Sequence, residues 1–210
     1  MFITQKILNI PYARYSQLQI KLRKHRKEGI LFLEHQPTIT AGKNTDFKNL
    51  LVPPEILKEK NITFLNVERG GDLTAHETGQ LVIYPHIDLT KRKISLQKYL
   101  DILSESLIQC IHKVWNLELI QKKEAPGLYL KKNPSKKILS QGIFFKSFFT
   151  SYGVALNLKN NLEVFQMIHP CGGESKHIVS INSLGLDSNL EKEFVHLFTN
   201  QFLQQIESKF

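Results

Sequence analysis

Apolar side chains recur at helical spacing in three segments of the chain. The segment after Ser95 has the most regular pattern, with apolar residues at alternating intervals of four and three. A second helix is predicted between Pro11, which suits a first helical position, and Gly29, which suits a helix end. The third starts at the sequence 188–191, a capping-box pattern, and carries an apolar stripe through Ile206.

Short runs rich in β-branched and aromatic residues predict strands between and beside these helices. The runs are 30–34, 81–84, 127–130, 138–145 and 151–158. Some lie between helices and others follow in series, which favours a mixed sheet flanked by helices, an α/β (α+β) fold, over strict strand–helix alternation. Because no repeat or low-complexity linker divides the 210 residues, we interpret 1–210 as one domain. A separate small C-terminal portion beginning near residue 175 is the alternative.

The composition excludes several classes of protein. With 41% hydrophobic and 22% charged residues the chain is typical of a globular protein. Its longest apolar runs, such as 30–33, are far shorter than the roughly 18 residues of a membrane span, and its first residues do not resemble a secretory signal. The two cysteines form neither a disulfide framework nor a metal-binding spacing. We therefore expect a cytoplasmic protein without membrane association.

The charge is strongly basic, with 28 Lys and Arg against 19 Asp and Glu, a net +9. Such an excess attracts acidic partners at long range. The densest basic cluster, 21–27, is interpreted as the solvated face of a helix, because no zinc-finger, RNA-binding or basic-zipper motif accompanies it. Acidic proteins are therefore favoured over nucleic acid as partners.

The segment 69–80 combines three glycines with the polar residues Arg69, Thr74 and His76. Glycines let a backbone approach a ligand closely, and the polar residues supply contacts. The segment has neither the phosphate-binding loop nor the dinucleotide-binding spacing of glycines. A glycine-rich turn between two strands is the alternative interpretation.

Cys171 lies between a proline and two glycines, a setting that favours a constrained turn with an exposed sulfur. A thiol reacts as thiolate, and a free cysteine has a pKa of about 8.5, so Cys171 needs a neighbour that helps it ionise. Cys110 falls on the apolar stripe of the middle helix and is predicted to be an inert core residue.

Two lysines, Lys136 and Lys137, begin the predicted strand 138–145. A lysine at the edge of a strand is usually a solvated charge. A lysine that is desolvated near a site can instead accept a proton, because burial disfavours its ammonium form. Spacing alone leaves both interpretations open.

Taken together, these segments resemble the octanoyltransferases of lipoate biosynthesis, a family of the biotin/lipoate protein ligase superfamily. The likeness covers roughly residues 30–185, and its blocks follow one another in the same order and spacing. The Arg-Gly-Gly-x-x-Thr-x-His block with its Gly-Gln and Tyr-Pro is matched by Arg69, Gly70, Gly71, Thr74, His76, Gly79, Gln80, Tyr84 and Pro85. The Lys-Ile-x-Ser-x-Gly, Ala-Leu-Asn and Pro-Cys-Gly blocks are matched by Lys137, Ile138, Ser140, Gly142, 155–157 and 170–172.

The resemblance implies the ligase-type catalytic fold and protein lipoylation by an acyltransferase. Cys171 would carry the octanoyl group as a thioester, and Lys137 would take its proton. The donor would be octanoyl-acyl carrier protein, and the acceptors would be lipoyl domains of 2-oxoacid dehydrogenases and the glycine cleavage H protein. No ATP, other cofactor or metal would be needed, because the acyl group arrives activated.

The resemblance also implies which residues bind the substrate. They are Arg69, Gly70, Gly71, Asp72, Leu73, Thr74, Ala75, His76, Ser140, Gln141, Gly142, Gly153, Val154 and Ala155. Backbone N–H groups near Gly142 or Gly172 are candidates to stabilise the oxyanion of the reaction.

The chain departs from the family pattern at four places, and three other functions stay open. Ala75 replaces a usual tyrosine, Glu77-Thr78 replaces Gly-Pro, and Gln141 and Tyr152 stand where an apolar residue and a histidine are common. We expect these changes to affect acyl-chain preference more than reaction class. The alternatives are an ATP-dependent lipoate or biotin ligase, a lipoyl amidotransferase, and a non-catalytic relative that only binds its partners.

Overall fold

The computed structural model describes residues 2–122 and 125–207, the side chain of Cys171 excepted. Within these residues the strands are β1 (Ile3–Ile10), β2 (Gly29–His35), β3 (Thr38–Ala41), β4 (Thr63–Asn66), β5 (Leu73–His76), β6 (Gln80–His86), β7 (Leu119–Gln121), β8 (Gly127–Leu130), β9 (Asn133–Lys146) and β10 (Phe149–Asn157). The helices are α1 (Tyr12–Lys24), α2 (Pro54–Glu59), α3 (Leu89–Arg92), α4 (Leu96–Trp115) and α5 (Glu191–Glu207).

The strands form one large and one small sheet. The large sheet has the order β1-β2-β6-β10-β9-β8-β7, in which β1 and β2 are parallel and every other neighbouring pair is antiparallel. The small sheet has the order β4-β3-β5, parallel between β3 and β4 and antiparallel between β3 and β5. The predicted α/β fold with a mixed sheet and flanking helices is confirmed.

Alternating side chains of the large sheet pack into two different apolar layers, as the period of a strand requires. Ile30 and Phe32 of β2 face the layer that contains α4 and α5. Leu31 and Leu33 face the opposite layer, which contains Tyr12 and Tyr15 of α1. A third apolar cluster lies behind the small sheet and joins β3 and β5 to the segment 164–168.

The patterned elements are where the sequence predicts them. Each predicted strand coincides with a strand of the large sheet to within a few residues, and α4 starts after Ser95, whose hydroxyl accepts from Lys98 N at 3.1 Å. Five strands were not predicted, namely β1, β3, β4, β5 and β7. Most of these are only three or four residues long, too short to show a period.

Two predicted helix boundaries were wrong. Pro11 precedes α1 rather than opening it, and α1 ends at Lys24, before Arg26 adopts a left-handed φ of 47°. Gly29 begins β2 instead of ending the helix: a Cβ there would lie 2.3 Å from the carbonyl oxygen of Ile3, so glycine permits the close approach of β1. Near the C-terminal end of the chain, the predicted helix start at 188–191 forms a 3-10 turn that begins at Ser188 and is capped by Asp187. The helix α5 itself begins at Glu191.

Among the described residues, no helix combines the length and the apolar character that crossing a membrane requires.

The α5 aromatic residues give a direct test of the core. Phe198 is fully buried between Phe194 and Phe202 and meets Phe32 of β2 edge-on. We expect Phe198→Ala to lower the free energy of unfolding by about 3–5 kcal/mol, measured by urea denaturation, because it leaves a cavity in the main core. Phe148→Ala is the control, since Phe148 is 62% exposed, and should stay within about 0.5 kcal/mol. Equal losses in the two variants would contradict this assignment of the core.

Candidate functional site

A cavity of about 250 Å³ lies between the small sheet and the large one. Its walls bring together residues from three separate sequence blocks. From the sequence-predicted site they are Arg69, Gly70, Gly71, Thr74, His76, Lys137, Ser140, Gln141, Gly142, Gly153, Val154 and Ala155. Segments that are distant in sequence therefore line one space.

The alternation of β5 decides which of its side chains face this cavity. Thr74 and His76 line it, whereas Leu73 and Ala75 are buried in the third apolar cluster behind the strand. The Asp72 carboxylate points elsewhere and accepts from Asn49 Nδ2 and, at 3.2 Å, from Asp46 N. Leu73 and Ala75 can therefore meet a substrate only through their backbone.

Arg69 is 6% exposed and is held by neutral oxygens. Its Nη2 donates to both oxygens of Thr40 at 2.8 Å, and its Nη1 donates to the Gly70 carbonyl at 3.0 Å. Gly70 N donates in turn to Ile143 O at 3.4 Å, which ties this loop to β9. The loop thus brings a buried positive charge to the cavity wall.

Lys137 reaches the cavity across β8. Its side chain is buried and its Nζ lies 5.5 Å from the centre of the Tyr129 ring. The path passes Gly127, where a Cβ would lie 2.2 Å from Leu139 O and 2.6 Å from Lys137 Cε and where φ is +141°. Gly127 therefore has to be a glycine for two reasons, space and backbone conformation.

Lys136 points away from this site. Its Nζ donates to the carbonyl of Lys176 at 2.8 Å at the surface. Because neighbouring residues of a strand face opposite sides, the burial of Lys137 and the partial exposure of Lys136 are two consequences of one register.

Cys171 lies in the 3-10 turn Pro170–Gly172, and its side chain is outside the described residues. The turn lies against β5, the strand that carries Thr74 and His76 into the cavity. Seven residues after Cys171, the chain runs beside Lys137. There Ile178 forms a parallel bridge with Lys137, and Val179 N donates to the Lys137 carbonyl at 2.9 Å. The roles of Cys171 and Lys137 as a pair stay a prediction.

One of the two expected oxyanion donors is already in use. Gly172 N donates to His169 O at 3.1 Å within the turn, and Gly173 N donates to Pro170 O at 3.1 Å. These two N–H groups are therefore occupied in this conformation, and the expectation of an oxyanion donor near Gly172 stays a prediction. Gly142 lines the cavity, so a backbone N–H near it stays a candidate to stabilise the oxyanion.

Cys110 is a core residue, as predicted. It is completely buried in the main apolar cluster beneath α5. Burial raises the pKa of its thiol to about 11, so it stays protonated and unreactive near neutral pH.

The buried imidazole of His76 has a defined hydrogen-bonding state. Its Nδ1 lies 2.8 Å from Gln80 Oε1, while Gln80 Nε2 donates to Asn157 Oδ1 at 2.9 Å. Asn157 Nδ2 donates to Val179 O at 3.1 Å, which fixes the orientation of both amides. Since an amide oxygen faces Nδ1, that nitrogen carries the hydrogen and Nε2 is an acceptor. Burial holds the pKa of His76 well below its usual value, so the ring is neutral.

The departures from the family pattern have structural explanations at two positions. Glu77 is buried, and its carboxylate accepts from Asn160 Nδ2 at 2.9 Å and Val164 N at 3.1 Å, which joins the segment after β10 to the end of β5. Tyr152 belongs to the aromatic layer beneath α1, and its N–H donates to Tyr15 Oη at 3.0 Å. Gln141 lines the cavity itself.

Four cavity-lining residues were missed by sequence reasoning. They are Tyr84, Leu100, Pro126 and Ile143. Tyr84 stood in a matched block and could have been found there. Leu100 belongs to the apolar stripe of α4, whose period indicates burial without distinguishing a core residue from a cavity wall.

The described residues contain no group of three or more His, Cys, Asp or Glu side chains that could hold a metal ion.

Comparison with known proteins places this site in a family context. Residues 12–210 match the model of the lipoyl protein ligase A/B catalytic domain. An octanoyltransferase of Leptospira interrogans is 54% identical over 183 residues, 87% of this chain and 85% of the relative. An octanoyltransferase of Leptospira borgpetersenii is 51% identical over 194 residues, 92% of this chain and 86% of the relative.

Similar solved structures share the fold at low sequence identity. A bipartite lipoate protein ligase of Thermoplasma acidophilum, solved with its E2 lipoyl domain, aligns with a TM-score of 0.74 at 12% identity, covering 99% of this chain and 84% of its own. A lipoate-protein ligase A bound with ATP aligns with a TM-score of 0.72 at 11% identity, covering 100% of this chain and 86% of the ligase chain. The predicted ligase-type catalytic fold is thereby confirmed.

Buried neutral histidines make the stability of this region depend on pH. Burial lowers the pKa of His35 to about 4, of His86 to about 3, and of His76 well below 6.5. The unfolded chain therefore binds more protons than the folded one below about pH 6.5, so stability falls as pH drops from 6.5 toward 4. Burial raises the pKa of Glu77, so the folded chain binds a proton there more readily. This offsets the loss of stability at low pH by at most one proton.

We expect the free energy of unfolding, measured by urea titration at pH 7, 6 and 5, to fall by at least about 1.4 kcal/mol per pH unit below pH 6, the slope of one net proton. His35→Gln removes one of the titrating groups and should flatten the slope. Equal stability at pH 7 and pH 5 would contradict the burial of neutral histidines.

Proposed function

This chain belongs to the lipoyl protein ligase A/B catalytic-domain family and is a transferase of protein lipoylation, and we propose that it moves octanoyl groups. The donor is octanoyl-acyl carrier protein, the intermediate is a thioester on Cys171, and the acceptor is a lysine side chain of a lipoyl domain. Lipoyl domains of 2-oxoacid dehydrogenases and the glycine cleavage H protein are the acceptors. The names of the similar relatives support octanoyl transfer.

The observation that carries the proposal is the convergence of three sequence blocks on one cavity. The loop from Arg69, the part of β9 that begins at Lys137 and the glycine-containing stretch of β10 at Gly153 all line it. The turn that carries Cys171 lies against the same β5 strand. A nucleophile, a proton acceptor and a binding wall can therefore act on one bound group.

The walls suit a short acyl chain. Leu100, Pro126, Ile143 and Val154 provide apolar surface, and the polar groups Arg69, His76 and Lys137 lie on other walls. At about 250 Å³ the cavity is just below the range of about 300–1,000 Å³ that is usual for drug-sized ligands. An unbranched chain with one reactive end fits that description.

In the first half of the reaction the Cys171 thiolate attacks the donor thioester. Lys137 takes the thiol proton and passes it to the departing thiol of the carrier. One thioester replaces another, so the exchange is nearly balanced in energy, and a cysteine is a suitable relay.

In the second half a lysine amine of the lipoyl domain attacks the acyl-enzyme. The C–N bond forms, the C–S bond breaks and Cys171 is regenerated. The amide is more stable than the thioester, which drives the transfer without ATP.

Charge favours both protein partners. The chain carries a net +9, and carrier and lipoyl domains of this pathway are typically acidic. Two cationic side chains, Arg23 and Lys43, lie 5.2 and 5.0 Å from the centre of the Phe144 ring. Lys43 N donates to Arg69 O at 3.1 Å, so this basic pair lies beside the cavity loop and can receive an acidic surface.

The acyl-enzyme gives the first test. Incubation with octanoyl-acyl carrier protein alone should add one octanoyl group to the chain, observed by intact mass spectrometry. Cys171→Ala should abolish the adduct, and Cys110→Ala should keep it, because Cys110 is a buried core residue. An adduct that persists in Cys171→Ala would exclude Cys171 as the acyl carrier. Transfer that requires ATP and free octanoate would instead favour the ligase alternative.

The lysine pair gives the second test. Removing a general base costs about 10²–10⁴-fold in rate, so Lys137→Ala should lose roughly that much transfer activity and shift alkylation of Cys171 to higher pH. Lys137→Arg should not restore activity, since arginine keeps its proton.

Lys136→Ala is the matched control, because Lys136 precedes Lys137 on the same strand and bonds the Lys176 carbonyl at the surface. It should stay close to wild type in the same transfer assay. If the two alanine variants behaved alike, Lys137 would have no special role.

A further inference from the structure

We infer that His76 Nε2 receives the attacking amine in the second half of the reaction, an inference that rests on the proposed function. The acceptor lysine of the lipoyl domain donates an N–H to this nitrogen, which aims the amine lone pair at the thioester carbon. His76 is then a catalytic residue of aminolysis, separate from the pair that forms the acyl-enzyme.

The first observation is a buried acceptor atom without a partner, on a residue of the cavity wall. His76 lines the cavity, is 4% exposed, and its Nε2 has no hydrogen-bond partner among the described residues. Leaving a buried acceptor unpaired costs about 1–3 kcal/mol, so a ligand that supplies a donor there gains by binding.

The second observation is that the orientation of this acceptor is fixed by the fold. Gln80 holds Nδ1 as a donor, and Asn157 holds Gln80 through its own bond to Val179. Val179 N also donates to the carbonyl of Lys137. The same network that sets the tautomer of His76 is therefore tied to the strand that carries Lys137.

The chemistry of the reactants selects the amine as the donor. The octanoyl chain carries no N–H or O–H group, and a thioester carbonyl only accepts hydrogen bonds. The reacting amine brings N–H groups to the carbon under attack. The buried guanidinium of Arg69, held by the oxygens of Thr40 and Gly70, disfavours entry of a charged ammonium, so the amine reacts in its neutral form.

The step balances without any further reactant. The nitrogen forms its bond to the carbonyl carbon, the C–S bond breaks, and its electron pair stays on the Cys171 sulfur. The proton that the nitrogen loses passes to His76 Nε2 and from there to the same sulfur. The imidazole ends neutral, and the products are the amide and the free thiol.

The test measures the two half-reactions separately. Acylation is followed by mass spectrometry with octanoyl-acyl carrier protein alone, and transfer is followed after a lipoyl domain is added to the isolated acyl-enzyme. His76→Asn keeps an amide N–H near the position of Nδ1, able to donate to Gln80, but removes Nε2. We expect acylation within about 3-fold of wild type and transfer slower by about 10²–10⁴-fold.

Two further variants separate chemistry from folding. His76→Gln can place an amide oxygen near the position of Nε2, so it should recover part of the transfer rate by orienting the amine. His35→Asn is the matched control: His35 is equally buried, its Nδ1 lies 3.1 Å from Ile10 O, and its Nε2 is unpartnered, but it does not line the cavity. It should leave the ratio of the two half-reaction rates unchanged.

The outcomes distinguish a failure of the role of His76 from a failure of the proposed function. Equal transfer rates in wild type and His76→Asn, or an equal fall in both half-reactions, would overturn the role of His76 and leave the acyl-enzyme intact. A wild-type chain that forms no acyl-enzyme would overturn the proposed function, and the role of His76 with it.

Discussion

The structure depends on the side chain of Asn157, whose hydrogen bonds join four segments of the chain. Its oxygen accepts from Gln80 and Asn160, and its nitrogen donates to Val179 O. Through these partners it fixes the start of β6, the loop after β10 and the segment that returns to Lys137. Because Asn157 is 1% exposed, losing the bond to Val179 O would leave its buried amide nitrogen unpaired, which is costly in a medium of low polarity. Through Gln80, these bonds also set the position of His76 at the cavity wall.

The two sheets bury their apolar side chains in separate clusters. The large sheet places two apolar layers on its faces, and α4 and α5 close one of them. The small sheet has its own apolar cluster and presents only alternate residues of β5 to the cavity. Polar side chains such as Thr74 and His76 can thus be buried beside the large sheet without interrupting its core. The site lies between two independently packed layers, where polar groups disturb neither.

The sequence was informative where a period extends over enough residues. The stripe of α4 and the run of β10 predicted elements close to their true limits, the run of β9 predicted all but its first five residues and its last, and the spaced blocks identified most of the cavity wall. Shorter strands such as β5 gave no period, so the opposite orientations of Ala75 and His76 could not be foreseen. The sequence predicts a helix end at Gly29, but glycine suits both a helix end and a close approach of two strands, and only the three-dimensional neighbour, Ile3, distinguishes them. The network of Gln80 and Asn157 joins residues far apart in sequence, which no local pattern records.

The requirement for glycine at position 127 has an evolutionary consequence. A lineage could retain a cysteine and a lysine at the positions of Cys171 and Lys137 and still lose the proposed reaction through one substitution at Gly127, because a side chain there would collide with the Leu139 carbonyl of the strand that carries Lys137 and with the lysine itself. Such a descendant would carry every residue with reactive side-chain chemistry and be inert. Inspection of reactive residues alone would therefore count it as an enzyme, and the residue that reveals the loss would be one that has no side chain.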